Sequence, residues 1–193
     1  MQSTCLSFET IHKHGDLWLQ HLKLRKALFV DQMGWKIPHN NLIEWDEYDT
    51  GNTRYVISHK DGKVVAASRF NPCNHDACGR SYMIRDAQLG RLSNFPNLKI
   101  DALPTDTVTY EATRFTTDPL LSKHDRSRAL EHNALSLAEA AQELGASRLI
   151  ALMHPGFARW LSRIGLATHP IGPTVEGSDG DKICVLEMNL KNL

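Results

Sequence analysis

The chain carries no surplus of charge. Its 22 Lys and Arg are matched by 22 Asp and Glu, so no global field draws it to nucleic acid or to an acidic membrane surface. It has no long apolar run, which excludes a membrane-spanning helix. Met1 to Glu9 lacks a charged segment followed by an apolar one, so no secretory signal is expected. Its four cysteines, Cys5, Cys73, Cys78 and Cys184, are dispersed. They form no disulfide framework, and a reducing cytoplasm fits them. Cys73 and Cys78 have no second pair of ligands at matching spacing, so a loop with spare cysteines is expected rather than a zinc site, and no metal is assigned. Only 23% of the residues are charged against 41% hydrophobic, which is the balance of an ordinary globule. At 193 residues the chain is long enough for one domain with a real core.

What is present begins with one acidic stretch, Glu44-Trp45-Asp46-Glu47-Tyr48-Asp49. No cation lies inside it. Arg25 precedes it, and Arg69 and Arg114 follow, each among apolar neighbours. That pattern suits carboxylates and guanidiniums gathered around something small and charged; a solvated acidic loop is the plainer alternative.

Periodicity gives the remaining frame. Thr4 to Thr10 reads as a short strand. Asp16 to Met33 reads as a helix with Trp18, Leu22, Arg25, Phe29 and Met33 on one face, stopped at Gly34. Arg54 to Ser58 and Lys63 to Phe70 form a hairpin around Asp61-Gly62. Residues 71–103 are irregular, with a short helix near Met83 to Leu92. Val108 to Thr116 is a strand, Arg126 to Leu144 an amphipathic helix closed by Gly145, and Arg148 to Met153 a short strand. Pro155 to Ile164 is a helix, and Ile183 to Leu190 a final strand. An antiparallel meander followed by alternating helices and strands implies an α/β class, with a mixed sheet covered by helices.

The order of charged and aromatic residues resembles one family. Arg25, Phe29 and Trp35 come first, then Glu44, Asp46 and Asp49 as Glu-x-Asp-x-x-Asp. Arg69 ends a strand, and Glu111, Arg114 and Phe115 form Glu-x-x-Arg-Phe. Together these resemble the acyl-homoserine-lactone synthases, the autoinducer synthases of bacterial quorum sensing. The run from Leu149 to Leu166 is similar to the last third of the GNAT acyltransferase fold. The resemblance implies a single GNAT-like, three-layer α-β-α domain over 1–193. It implies an acyltransferase that joins an acyl chain to S-adenosylmethionine and closes a lactone, with methylthioadenosine leaving. The donor would be acyl carrier protein or acyl-coenzyme A. S-adenosylmethionine would be a substrate, and no tightly bound cofactor is implied.

Within that resemblance Glu111 is the candidate base, or else a structural carboxylate paired with Arg114. Strand alternation puts these two on opposite faces unless a bulge intervenes. Glu44, Asp46, Asp49 and Arg69 would shape the adenosylmethionine pocket, and Arg25, Phe29, Trp35, Arg114 and Phe115 would bind substrate. On this reading Arg69→Ala removes turnover with the fold largely intact. Arg148, Arg159 and Arg163 would steer an acidic carrier, unless they are scattered surface arginines.

Two departures stand out. Gln88 or Leu89 occupies the place of a family Phe, and Lys123 to Arg128 replaces the glycine-rich loop of coenzyme-A-dependent GNAT enzymes. A GNAT enzyme acylating another amine, or a catalytically silent ligand-binding relative, are the alternatives.

Overall fold

The computed structural model describes residues 1–76, 79–93, 95–177 and 180–191. Cys78 therefore lies outside the described residues. The chain forms two compact units. One holds Met1–Phe70 with Arg114–Ala140; the other holds Asn71–Thr113 with Ala141–Leu193.

The first unit opens with strand β1 (Gln2–Leu6), antiparallel to β2 (Arg54–Lys60), which is antiparallel to β3 (Lys63–Pro72). Asp61 and Gly62 both take positive φ, 51° and 77°, as a two-residue hairpin turn requires. A register shift at Ser58/His59 bends β2. Strand β4 (Thr109–Thr117) runs beside β3, and Thr116 Oγ1 donates to Ala67 O. Helix α1 (Leu17–Arg25) packs Leu17, Trp18 and Leu24 on Leu6, Tyr55, Ile57 and Ala67. Ala67 pairs with Ile57, so these mark one face of the hairpin. The opposite face, at Ala66 and Ser58, meets the long helix that begins at Lys123. Ala129 packs on Ala66, and Asn133 Nδ2 donates to Val56 O and Ser58 Oγ. Sheet between helices is thus realised within this unit.

The helix expected over Asp16 to Met33 changes its winding. After Arg25 it widens to π-type turns from Lys26 to Gln32, with Met33 N donating to Leu28 O five residues back. The wider turn keeps Arg25 and Phe29 buried but rotates Met33 out to 49% exposure. Gly34 (φ 72°) stops the helix, as the sequence indicates.

In the second unit β4 pairs parallel with β5 (Arg148–Met153), which pairs antiparallel with β8 (Lys182–Asn189). Two short strands, β6 (Thr168–Pro170) and β7 (Val175–Glu176), also join β8. Helix α2 (Met83–Gln88) contributes Ile84 and Ala87 to a core with Tyr82, Leu98, Ile100, Ile150 and Val185. The long helix, α3 (Lys123–Glu143), ends before Gly145 (φ 84°). The last helix, α4 (Gly156–Arg163), follows Pro155. Parallel and antiparallel pairs together make the sheet mixed, as expected.

Candidate active site

Arg25 stands at the last α-turn of α1, where the helix widens. It is 1% exposed. Its Nε donates to Glu44 and its two terminal nitrogens to both oxygens of Asp49, at 2.8 and 2.9 Å. Arg69, fully buried in β3, donates in the same forked way to Asp46 and lies 3.0 Å from Asp49. Arg114 donates from one nitrogen to Glu44, at 3.2 Å, and to Asp46. Three guanidiniums and three carboxylates therefore form one buried, charge-balanced cluster. Such a cluster persists only because every charge has partners.

The loop folds upon its own carboxylates. Tyr48 N–H donates to Asp46 Oδ1, and Asp46 N–H donates to Asp49 Oδ2, each at 2.9 Å. Glu47, the fourth acid of the stretch, points to solvent. The plain alternative of a solvated acidic loop therefore fails for three of the four acids.

The electrostatics follow. Burial pushes the Asp46 carboxyl up, but Arg69 and Arg114 outweigh it and hold the pKa below the usual range. Asp49 is likewise driven down: burial opposes, and Arg69 and Arg25 prevail. The same pairing outweighs burial at Arg69, whose guanidinium is held well above its ordinary value. Carboxylates held ionised this firmly are poor proton acceptors at neutral pH. They can fix a cation in place or orient donors.

Arg114 has φ 55°, a left-handed conformation that a bulky side chain rarely takes. The alternation of β4 breaks there. The positive φ interrupts the extended backbone of the strand at this position. It aims the guanidinium over the Phe29 ring, 5.4 Å from the centroid. Phe29 in turn stacks on Trp35 at 4.8 Å and 13°. The Nε–H of Arg114 is buried and has no acceptor among the described residues. Phe115 is half-buried next to it in sequence.

Two neighbours were not foreseen. Tyr55 O–H donates to Asp49 at 3.0 Å, and His21 lies against the Tyr55 ring at 4.9 Å. His21 is buried, with Nδ1 2.6 Å from Trp18 O. Burial, and then the charge of Arg25, push its pKa down to about 3. Tyr55 shares a face with Ile57 by strand alternation, which is the only signal that could have placed it inside.

In the second unit Glu111 is fully buried. Its two oxygens accept from Met83 N–H at 3.0 Å and Ile84 N–H at 2.7 Å, at the start of α2. The structural role it plays is that of a helix cap, a partner set the sequence did not suggest. Cys73 is buried in the same unit, and burial raises its thiol pKa. Arg148 reaches Asp106 and Glu187. Arg159 and Arg163 are exposed on α4. No described helix is long and apolar enough to cross a membrane.

Comparison with known proteins gives one answer. The chain is 28% identical over 156 residues to an acyl-homoserine-lactone synthase of Ralstonia nicotianae, covering 77% of this chain and 71% of that protein. The fold is similar to the crystal structure of TofI in a ternary complex with an inhibitor and MTA. There the TM-score is 0.75 at 23% identity, over 98% of this chain and 92% of that one. It is also similar to BjaI, a CoA-dependent acyl-homoserine lactone synthase with SAM and isopentyl-CoA. That match has a TM-score of 0.78 at 18% identity, over 97% and 82% of the two chains. The model of the autoinducer synthase family matches residues 9–191, which take in every residue of the charge cluster, and the chain belongs to that family.

Proposed function

We propose that this synthase makes an N-acyl-homoserine lactone signal for quorum sensing from S-adenosylmethionine and an acyl thioester. The observation that carries the reading is the buried cluster of Arg25, Arg69 and Arg114 with Glu44, Asp46 and Asp49. These are the residues of the family motif, brought together by four different segments. The match of the family model across both units supports reading 1–193 as one synthase domain.

The chemistry is two displacements. The substrate amine, once deprotonated, attacks the thioester carbonyl, an amide forms, and the thiol leaves. The methionyl carboxylate then attacks its own side-chain carbon beside the sulfonium; the C–S bond breaks and methylthioadenosine departs. Ring closure is intramolecular, so a pocket that holds the substrate folded removes an entropic barrier of about 7–11 kcal/mol. The stacked faces of Phe29 and Trp35 suit the sulfonium. The unpaired Nε–H of Arg114 suits the substrate carboxylate. Asp46 and Asp49 are too weakly basic to take the amine proton, and Glu111 is our candidate base, directly or through water.

The donor we favour is acyl carrier protein. Arg159 and Arg163 lie four apart on α4 and are exposed, whereas Arg148 is already engaged by two carboxylates and is dropped from the steering set. The chain would work in the cytoplasm, where both substrates are made.

The test has two arms. Spent medium of a bacterium expressing the chain is compared by mass spectrometry with an empty-vector control. A lactone at one acyl mass is expected. Purified protein is then assayed for methylthioadenosine release with panels of acyl carrier protein and acyl-coenzyme A thioesters. Turnover with coenzyme A thioesters alone would replace the carrier-protein assignment. Folded protein that binds S-adenosylmethionine yet releases nothing with either panel would overturn the synthase reading.

A further inference from the structure

Trp45 sits between two carboxylates of the cluster and points the other way. Glu44 and Asp46 are buried among the guanidiniums, while the Trp45 ring stacks face to face on Phe8 at 5.6 Å and 10°. The edge of Trp18 meets Trp45 at 5.4 Å and Phe8 at 6.2 Å. Phe8 also lies 6.3 Å from Tyr55. Trp18 belongs to α1, seven residues before Arg25 and so on the same side of the helix. The helix that carries Arg25 and the loop that carries Glu44 therefore each place a ring, Trp18 and Trp45, in one aromatic cluster.

Charge is not the sole tie on the register of the acidic stretch. Glu44 and Asp46 face the same way, and Arg25 already lies 4.0 Å from Asp46. A slip of two residues that brought Glu44 to Asp46's place would bring Glu47 to Asp49's and leave Leu42 at Glu44's, so charge resists the slip through one lost carboxylate. The backbone N–H groups of Glu44 and Trp45 make long ties, to Leu22 O at 3.3 Å and to Pro38 O at 3.4 Å, while those of Asp46 and Tyr48 bind the loop's own carboxylates. The aromatic side resists the slip independently. The same slip would put Ile43 where Trp45 stacks and forfeit the ring contacts; a slip the other way would put Glu47 among three aromatic rings, which is heavily penalised.

We infer that Trp45, clamped by Phe8 and Trp18, is a positioning residue that sets the register of the carboxylates against α1 and thereby shapes the S-adenosylmethionine pocket. The inference rests on the synthase reading above. The N-terminal turn that carries Phe8 thus takes part in substrate binding without touching substrate.

The test compares Trp45→Ala, Trp45→Phe and Phe8→Ala with wild type, in methylthioadenosine release and in calorimetric binding of S-adenosylmethionine. Trp45→Ala and Phe8→Ala are expected to raise KM and Kd for S-adenosylmethionine about tenfold, the scale of one or two lost aromatic contacts. Trp45→Phe should restore most of the affinity, and kcat and the acyl-donor KM should stay near wild type. Phe8 is 36% exposed, so its removal tests the idea even where Trp45→Ala does not fold. A lower melting temperature with unchanged KM and Kd in the Phe8 and Trp45 variants would make the cluster merely structural and overturn the inference. Wild-type protein that binds S-adenosylmethionine without turnover would count against the synthase reading alone, and the Kd series would still decide the register. Wild-type protein that does not bind it would sink both.

Discussion

Arg69 shows what a single buried charge commits the chain to. Its guanidinium sees no solvent and is held by Asp46 and Asp49. Truncating it leaves two buried carboxylates short of a cation, a loss on the order of 3–5 kcal/mol. The expectation that Arg69→Ala would keep the fold largely intact is therefore revised: urea unfolding should show a marked loss of stability along with lost turnover. Arg69→Lys keeps the charge but loses the fork, so it should recover stability in part. An unchanged urea midpoint in Arg69→Ala would show that the cluster relaxes or takes up water when a cation is removed. The six charged residues were legible because the family pattern names types and spacings, and burial then forces opposite charges together. Tyr55 and Trp45 were not, because an aromatic near a charge cluster reads the same whether it packs or pairs.

At the scale of elements, the hairpin and helix ends were legible because glycine and the Asp-Gly pair demand particular backbone angles. Gly34, Gly62, Gly145 and Gly165 all adopt positive φ where the pattern stops. The π-type widening after Arg25 left no such mark, since it exchanges one hydrogen-bond step for another with the same residues. Strands β6 and β7 were missed because three and two residues show no period. Helix α2 raises the sharper question. Its first turn presents Met83 and Ile84 N–H to Glu111, which is what a helix start lacking a side-chain cap of its own requires. Glu111→Ala should then speed hydrogen exchange at those two amides, and Glu111→Gln should preserve at least part of the protection. If Glu111→Gln keeps the protection yet loses most turnover, the residue is base as well as cap. If turnover and protection fall together across both variants, it is a cap alone.

The whole molecule has balanced charge at neutral pH, so its response to acid is set by groups that fold in a disfavoured state. His21 is the first of these. Its folded pKa is about 3 against an ordinary 6.5. Between those values the unfolded chain binds a proton that the folded chain refuses. Stability is therefore intact above 6.5 and falls as pH drops toward 3, at up to about 1.4 kcal/mol per pH unit. The cause is burial, and then a fourth cation beside Arg25 in a cluster already balanced. Asp46 and Asp49 act in a lower window. Their folded pKa values are depressed, so the stability they contribute is present above the ordinary carboxylate value of 3.8 and is lost as pH falls through the folded values. Two stages are thus expected when urea midpoints are measured against pH at fixed ionic strength: a slope beginning near 6.5, then a steeper one below 4. His21→Leu removes the titrating ring from this buried site, so it should flatten the first stage and leave the second. An unaltered slope between pH 6 and 4 in that variant would mean that other groups carry the acid response and that His21 accepts a proton in place.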